Sequence, residues 1–140
     1  MSSLFEELDT RVLQLREQLC QLIDSPSLRF DKKLRSNLPE KQGIYRIFVE
    51  NEPQATLRAG RTKSASNGLR QRVYQNHFQG DQLGNLRGQM VGNGRCKDLK
   101  AAKQYPKDHC LVQVLAIEDD EDRKWAEYFM LSVLRPIYSD

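Results

Sequence analysis

Six positions in this chain have residue types that bear on chemistry, and they follow one another in a definite order. Tyr45 closes the run Gly43-Ile44-Tyr45, and Arg58-Ala59-Gly60 follows after a turn. Arg72 lies in Gly68-Leu69-Arg70-Gln71-Arg72-Val73, His77 comes one turn later, and a lone Glu127 stands inside an amphipathic segment near the end. Hydrolysis of a phosphodiester needs such groups. A water must lose a proton and be aimed in line, the charge developing on the phosphoryl oxygens must be neutralised, and the leaving oxygen must be stabilised. A guanidinium such as Arg72 is planar and always charged, so it can clamp two phosphate oxygens. His77 can serve as a general base or orient the water. Glu127 is flanked by Trp125, Ala126 and Phe129, which places it at a core boundary, where a carboxylate costs free energy unless paired or bound to a cation. Each residue also has a blander reading. Glu127 can be a solvated helix residue paired with Arg123 or Lys124, Arg72 a surface or backbone contact, and Tyr45 a half-buried strand tyrosine.

The charge pattern narrows the partner. The net charge is only +3. From Arg58 to Lys107, however, the arginines and lysines are opposed only by Asp81 and Asp98, and the chain turns acidic from Asp108 onward. A basic middle folded onto one face suits a polyanion; a scatter of solvated charges is the alternative. No apolar run approaches a membrane span, and the N-terminus lacks the basic and apolar regions of a signal peptide. Cys20, Cys96 and Cys110 are odd in number and scattered, which points to reduced thiols in a cytoplasmic protein. Cys96, Cys110, His77 and His109 lack the ligand spacing of a zinc site.

The elements that position these groups follow from periodicity. Leu4, Leu8, Val12, Leu15, Leu19 and Leu22 recur at helical spacing, so residues 3–24 form an amphipathic helix capped by Ser2 or Ser3. Its apolar stripe packs on its own domain or forms the seam of a homodimer. Residues 28–41 read as a linker or short helix. Residues 43–49 and 55–61 alternate as strands joined by Asn51-Glu52-Pro53-Gln54. Residues 69–78 read as a helix, and short helices are expected near 83–90 and 97–104. Residues 110–117 form the third strand, and a helix runs from Asp119 or Asp120 to Leu134, stopped by Pro136. The expected fold is α+β: a small three-stranded antiparallel sheet flanked by helices, with an extra N-terminal amphipathic helix over 1–27 and a globular unit over 28–140.

Over roughly residues 38–140, this order of motifs resembles the GIY-YIG nuclease superfamily. The resemblance implies a DNA endonuclease that hydrolyses phosphodiesters with one divalent metal, Mg²⁺ or Mn²⁺. It implies Glu127 as the metal ligand, Arg72 as the catalytic helix arginine, and Tyr45 in the water-activating network. It brings in His77 as a catalytic neighbour, although the closest helical position is Asn76. Gly60 matches the glycine of the second motif, where a missing side chain lets the backbone approach substrate. DNA contacts are expected from Arg58, Arg61, Lys63, Arg70 and Gly60. Two positions depart from the pattern. Arg58 stands where the second motif usually has a tyrosine, and an arginine cannot take a proton from water. Ser139 stands where an asparagine usually supports the metal site. The competing reading is a nucleic-acid-binding module on the same fold that has lost cleavage.

Overall fold

A computed structural model of the chain describes residues 3–64, 67–80 and 84–138. Helix α1 (Leu4–Asp24) is capped by Ser3, whose side chain accepts the Glu6 N–H at 3.2 Å. Strand β1 (Leu28–Arg29) and helix α2 (Leu34–Asn37) follow, then β2 (Gly43–Val49) and β3 (Arg58–Arg61). A π-helix (Arg70–Phe78), α3 (Leu86–Gly92), α4 (Leu99–His109), β4 (Cys110–Ala116) and α5 (Asp120–Leu134) complete the chain. The architecture is α+β, with an all-antiparallel sheet flanked by helices.

The sheet has four strands in the order β1-β4-β2-β3, which corrects the expected three. The fourth comes from the segment read as a linker. Leu28 pairs with Val112 and Arg29 with Leu111, and Phe30, Leu34 and Leu38 behind them are buried in the main core. The i, i+4 spacing of Phe30, Leu34 and Leu38 was the available signal that this stretch is packed.

The helix expected over 69–78 forms, but it is wound as a π-helix. The Gln79 N–H bonds to the Tyr74 carbonyl at 3.0 Å, five residues back. The buried residues Leu69, Val73, His77 and Phe78 explain the winding: Leu69, Val73 and His77 are four apart and Phe78 is five beyond Val73, so a wider turn puts all of them inside. Helix α4 also runs further than expected, through Pro106 to His109, and its end is closed by the Cys110 N–H on the Pro106 carbonyl.

The two faces of the sheet carry separate cores. In the β2–β3 register, Tyr45 stands opposite Gly60 and Ile47 opposite Arg58. That face packs against the π-helix, α3 and α4 through Val73, Phe78, Leu86, Met90 and Ala102. The other face presents Ile44 and Ala59 to Leu19 and Leu22 of α1 and to Ala126 and Met130 of α5. The last turns of α1 therefore belong to the body of the fold, across the boundary expected after residue 27. A buried network fixes them there. Arg46 donates to Thr56 Oγ1 at 2.8 Å, to Gln113 Oε1 at 3.0 Å and to the Pro53 carbonyl. Gln113 Nε2 in turn donates to the carbonyls of Ile23 at 2.6 Å and Ser25 at 3.1 Å.

Candidate active site

The site is built where β3, an edge strand, meets the π-helix on one face and α5 on the other. Gly60 comes first, because it creates the space. A Cβ there would lie 2.8 Å from the Tyr45 phenol oxygen. The glycine lets the Tyr45 ring lie across its strand partner. Tyr45, Arg58 and His77 then fill this space with 0 % exposure each.

Their hydrogen bonds are specific. The Tyr45 hydroxyl lies 2.7 Å from His77 Nε2. His77 Nδ1 accepts the backbone N–H of Leu86 at 3.2 Å. With Nδ1 an acceptor, the neutral ring carries its proton on Nε2 and donates it to the phenol oxygen. Burial, reinforced by the charges of Arg58 and then Arg72, holds His77 well below its ordinary value, so it stays neutral. The Arg58 guanidinium lies within electrostatic reach of the same phenol. Its Nη1 donates to the Gly84 carbonyl at 3.1 Å and to Gln89 Oε1 at 2.5 Å. Burial lowers Arg58, the Tyr45 phenol opposes that shift, Arg72 adds to it and Glu127 opposes it.

His77 reaches this cluster because of the π-winding. A hydrogen-bonded turn of five residues brings position 77 back towards the side of Arg72, whereas α-helical winding would have favoured Asn76. Arg72 itself is half-buried and its Nη1 lies 3.4 Å from Asn85 Oδ1. Gly84, Asn85, Leu86 and Gln89, at the start of α3, thus hold Arg58, Arg72 and His77 from above. None of the four was a candidate from sequence, since backbone groups and neutral amides leave no pattern.

Glu127 approaches from the other face. Its Oε2 accepts the backbone N–H of Arg61 at 2.9 Å, and Oε1 lies 3.5 Å from Arg61 Nε. Neither Arg123 nor Lys124 is its partner: they pair with Asp120 and Glu121. The carboxylate therefore satisfies an outward-facing N–H of the edge strand, and Arg61 spans from there to the Tyr128 ring, 5.6 Å from its centroid. Arg123, buried, donates to the Thr62 carbonyl at 2.9 Å and the Ile117 carbonyl at 3.0 Å, which ties the loop after β3 to the start of α5.

The structure brings together Tyr45, Arg58, Gly60, Arg72, His77 and, round the strand edge, Arg61 and Glu127. Comparison with family models, with curated proteins and with solved structures finds no match. Arg58 differs from expectation: buried and bonded on several sides, it faces the cluster and not solvent. Arg70 lies apart, donating to the Leu38 carbonyl at 2.7 Å and to Glu40. Lys63 is exposed on the loop after β3. Ser139 lies outside the described residues. Cys96 and Cys110 are buried away from the cluster, and burial pushes the Cys110 thiol up to about 12.

Proposed function

We propose that this chain is a metal-dependent DNA endonuclease of the GIY-YIG type, hydrolysing phosphodiester bonds at the cluster around Tyr45. One observation carries the reading. Tyr45, Arg58, Arg72, His77 and Glu127 come from four elements far apart in sequence; the Tyr45 hydroxyl meets His77, and Arg58 lies within electrostatic reach of the other four. Guanidinium groups outnumber carboxylates in this group, so its field favours a phosphate.

The roles follow from the bonds. The His77 N–H meets the phenol oxygen of Tyr45 and the Arg58 charge lies near it, which orients the phenol that the resemblance puts in the water-activating network. Arg58 itself takes no proton from water. His77 donates to Tyr45 and so orients it. Arg72, less buried, is the group placed to hold a phosphate oxygen. Glu127 fits a single-carboxylate site for Mg²⁺ or Mn²⁺. Its Oε1 is 3.5 Å from Arg61, beyond ordinary hydrogen-bond length, and keeps its lone pairs, while water and phosphate oxygens are the other ligands such cations take. A bound divalent cation supplies charge neutralisation at the phosphate. Incubation of the chain with supercoiled, branched and single-stranded DNA under Mg²⁺ and Mn²⁺ tests the reading.

A second reading is favoured by a different observation. Tyr45, Arg58 and His77 lie wholly beneath Gly84–Gln89, and Arg61 sits on Glu127. Both features suit a module that binds nucleic acid through Arg61, Lys63 and Arg72 without cutting it. Salt-dependent DNA binding with no cleavage of any substrate would select this reading.

A further inference from the structure

Helix α1 is 21 residues long, about 30 Å, yet only its last turns are covered. Every residue from Ser3 to Gln14 is exposed. The apolar side of this free half shows Leu4 and Phe5 at 79 %, Leu8 at 53 % and Val12 at 42 % exposure. It continues the stripe that is core at Leu19 and Leu22. A helical segment this short is marginal in water without packing. Beside it, α1 and α5 enclose a groove of about 850 Å³ lined by Leu15, Trp125, Tyr128 and Phe129, with Arg11 and Asp122 among its polar residues. Trp125 and Tyr128 meet edge to face at 5.7 Å and are about half exposed. Apolar surface on this scale marks an interaction site.

The geometry points to a second copy of this chain as the occupant: the free half of α1 from one copy lies in the α1–α5 groove of the other, and reciprocally. Lengths agree. The groove runs from Arg11 to Gln21 on α1 and from Asp122 to Ser132 on α5, about 15 Å on each, and Leu4–Gln14 spans the same distance. Symmetry agrees as well. Stripe and groove share α1, so a single two-fold axis closes both contacts in one isologous interface. The exposed stripe argues against an occupant of the groove alone, because Leu4, Phe5 and Leu8 are each more than half exposed. An unrelated helix in the groove would cover the groove alone and leave Leu4, Phe5 and Leu8 in water.

Sedimentation of the full chain, combined with its tryptophan emission, tests this arrangement. Trp125 is the only tryptophan, so emission reports on the groove. The expected result is a dimer whose emission shifts to the red on dilution as the groove opens. Leu8→Glu and Tyr128→Glu, both at exposed positions, should each weaken dimerisation by about a hundredfold or more, because the interface would bury an unpaired carboxylate. Their far-UV circular dichroism should match the wild type. Trp125 emission in Leu8→Glu should be that of the dissociated chain, although Leu8 lies on the other copy's helix. A wild type that is monomeric up to its solubility limit overturns the proposal. A dimer whose Trp125 emission does not change on dilution overturns it too, since that result belongs to free halves pairing with each other.

Discussion

Glu127 accepts the Arg61 N–H and, on the proposed function, holds the divalent cation, and one substitution separates the two. Glu127→Gln keeps an oxygen to accept the Arg61 N–H, so the edge of β3 stays satisfied. It removes the charge that a divalent cation needs. Cleavage should fall by about a hundredfold or more, while metal-free DNA binding and the melting temperature change little; rate measurements, anisotropy and thermal unfolding check the three effects. Arg58 is the opposite case. Arg58→Leu takes the donor from the Gly84 carbonyl and from Gln89 Oε1, both only partly covered, and leaves the buried space of the guanidinium to a shorter side chain, which should cost about 1–3 kcal/mol in urea unfolding. His77 gives a pH signature. Its folded value is held well below the ordinary one by burial and by Arg58 and Arg72, so below about pH 6.5 the unfolded chain binds a proton that the folded chain does not. Stability from this group is complete above that pH and declines as pH falls, with a slope of up to about 1.4 kcal/mol per unit. His77→Gln should flatten that part of the urea-unfolding profile. Sequence order picked out the residues of this cluster because Tyr45, Arg72, His77 and Glu127 are chemically distinctive types. It misplaced Arg58 because arginine is ordinarily a surface residue, and only the acceptors at Gly84 and Gln89 and the nearby Tyr45 phenol make its burial affordable.

At the scale of elements, α1 is half core and half arm. Removing residues 1–14 should leave the monomer's melting temperature nearly unchanged, since Ser3–Gln14 are all exposed and only Arg11 and Gln14 of them border the α1–α5 groove. Removing the whole helix strips Leu19 and Leu22 from the core and leaves Gln113 without the Ile23 carbonyl. That loss should exceed about 4 kcal/mol from two buried leucines alone and should unfold or nearly unfold the sheet. Thermal melts of the two truncations distinguish these outcomes. The helix was legible from its leucine spacing, but periodicity cannot say how much of a stripe a domain covers. The strands β2 and β4 were legible from alternation for the same kind of reason. Strand β1 was not, because two residues are too few to show a period, and it exists only because β4 offers an edge. The π-winding was not legible either: the choice between four and five residues per turn is made by what Val73, His77 and Phe78 find inside the fold.

For the whole molecule, the cations offered to a polyanion are Arg61 beside Glu127 at the end of β3, the exposed Lys63 on the loop that follows, and the half-buried Arg72 of the π-helix. DNA binding should therefore weaken with salt, each phosphate contact adding roughly 0.9 to the negative log–log slope on duplex. Lys63→Ala should reduce that slope by about one contact without altering the fold. Among the described residues, no helix is long and apolar enough to cross a membrane. The central claim is that the Tyr45–Arg58–Arg72–His77–Glu127 cluster cuts phosphodiesters. The most direct measurement is cleavage of supercoiled and branched DNA in Mg²⁺ by the wild type and by Tyr45→Phe, which keeps the ring over Gly60 but removes the oxygen that His77 binds. The account predicts nicked or linear product from the wild type and a loss of about a hundredfold or more in Tyr45→Phe. A wild type that binds DNA but cuts none of it, or a Tyr45→Phe variant that cuts as fast, would contradict it.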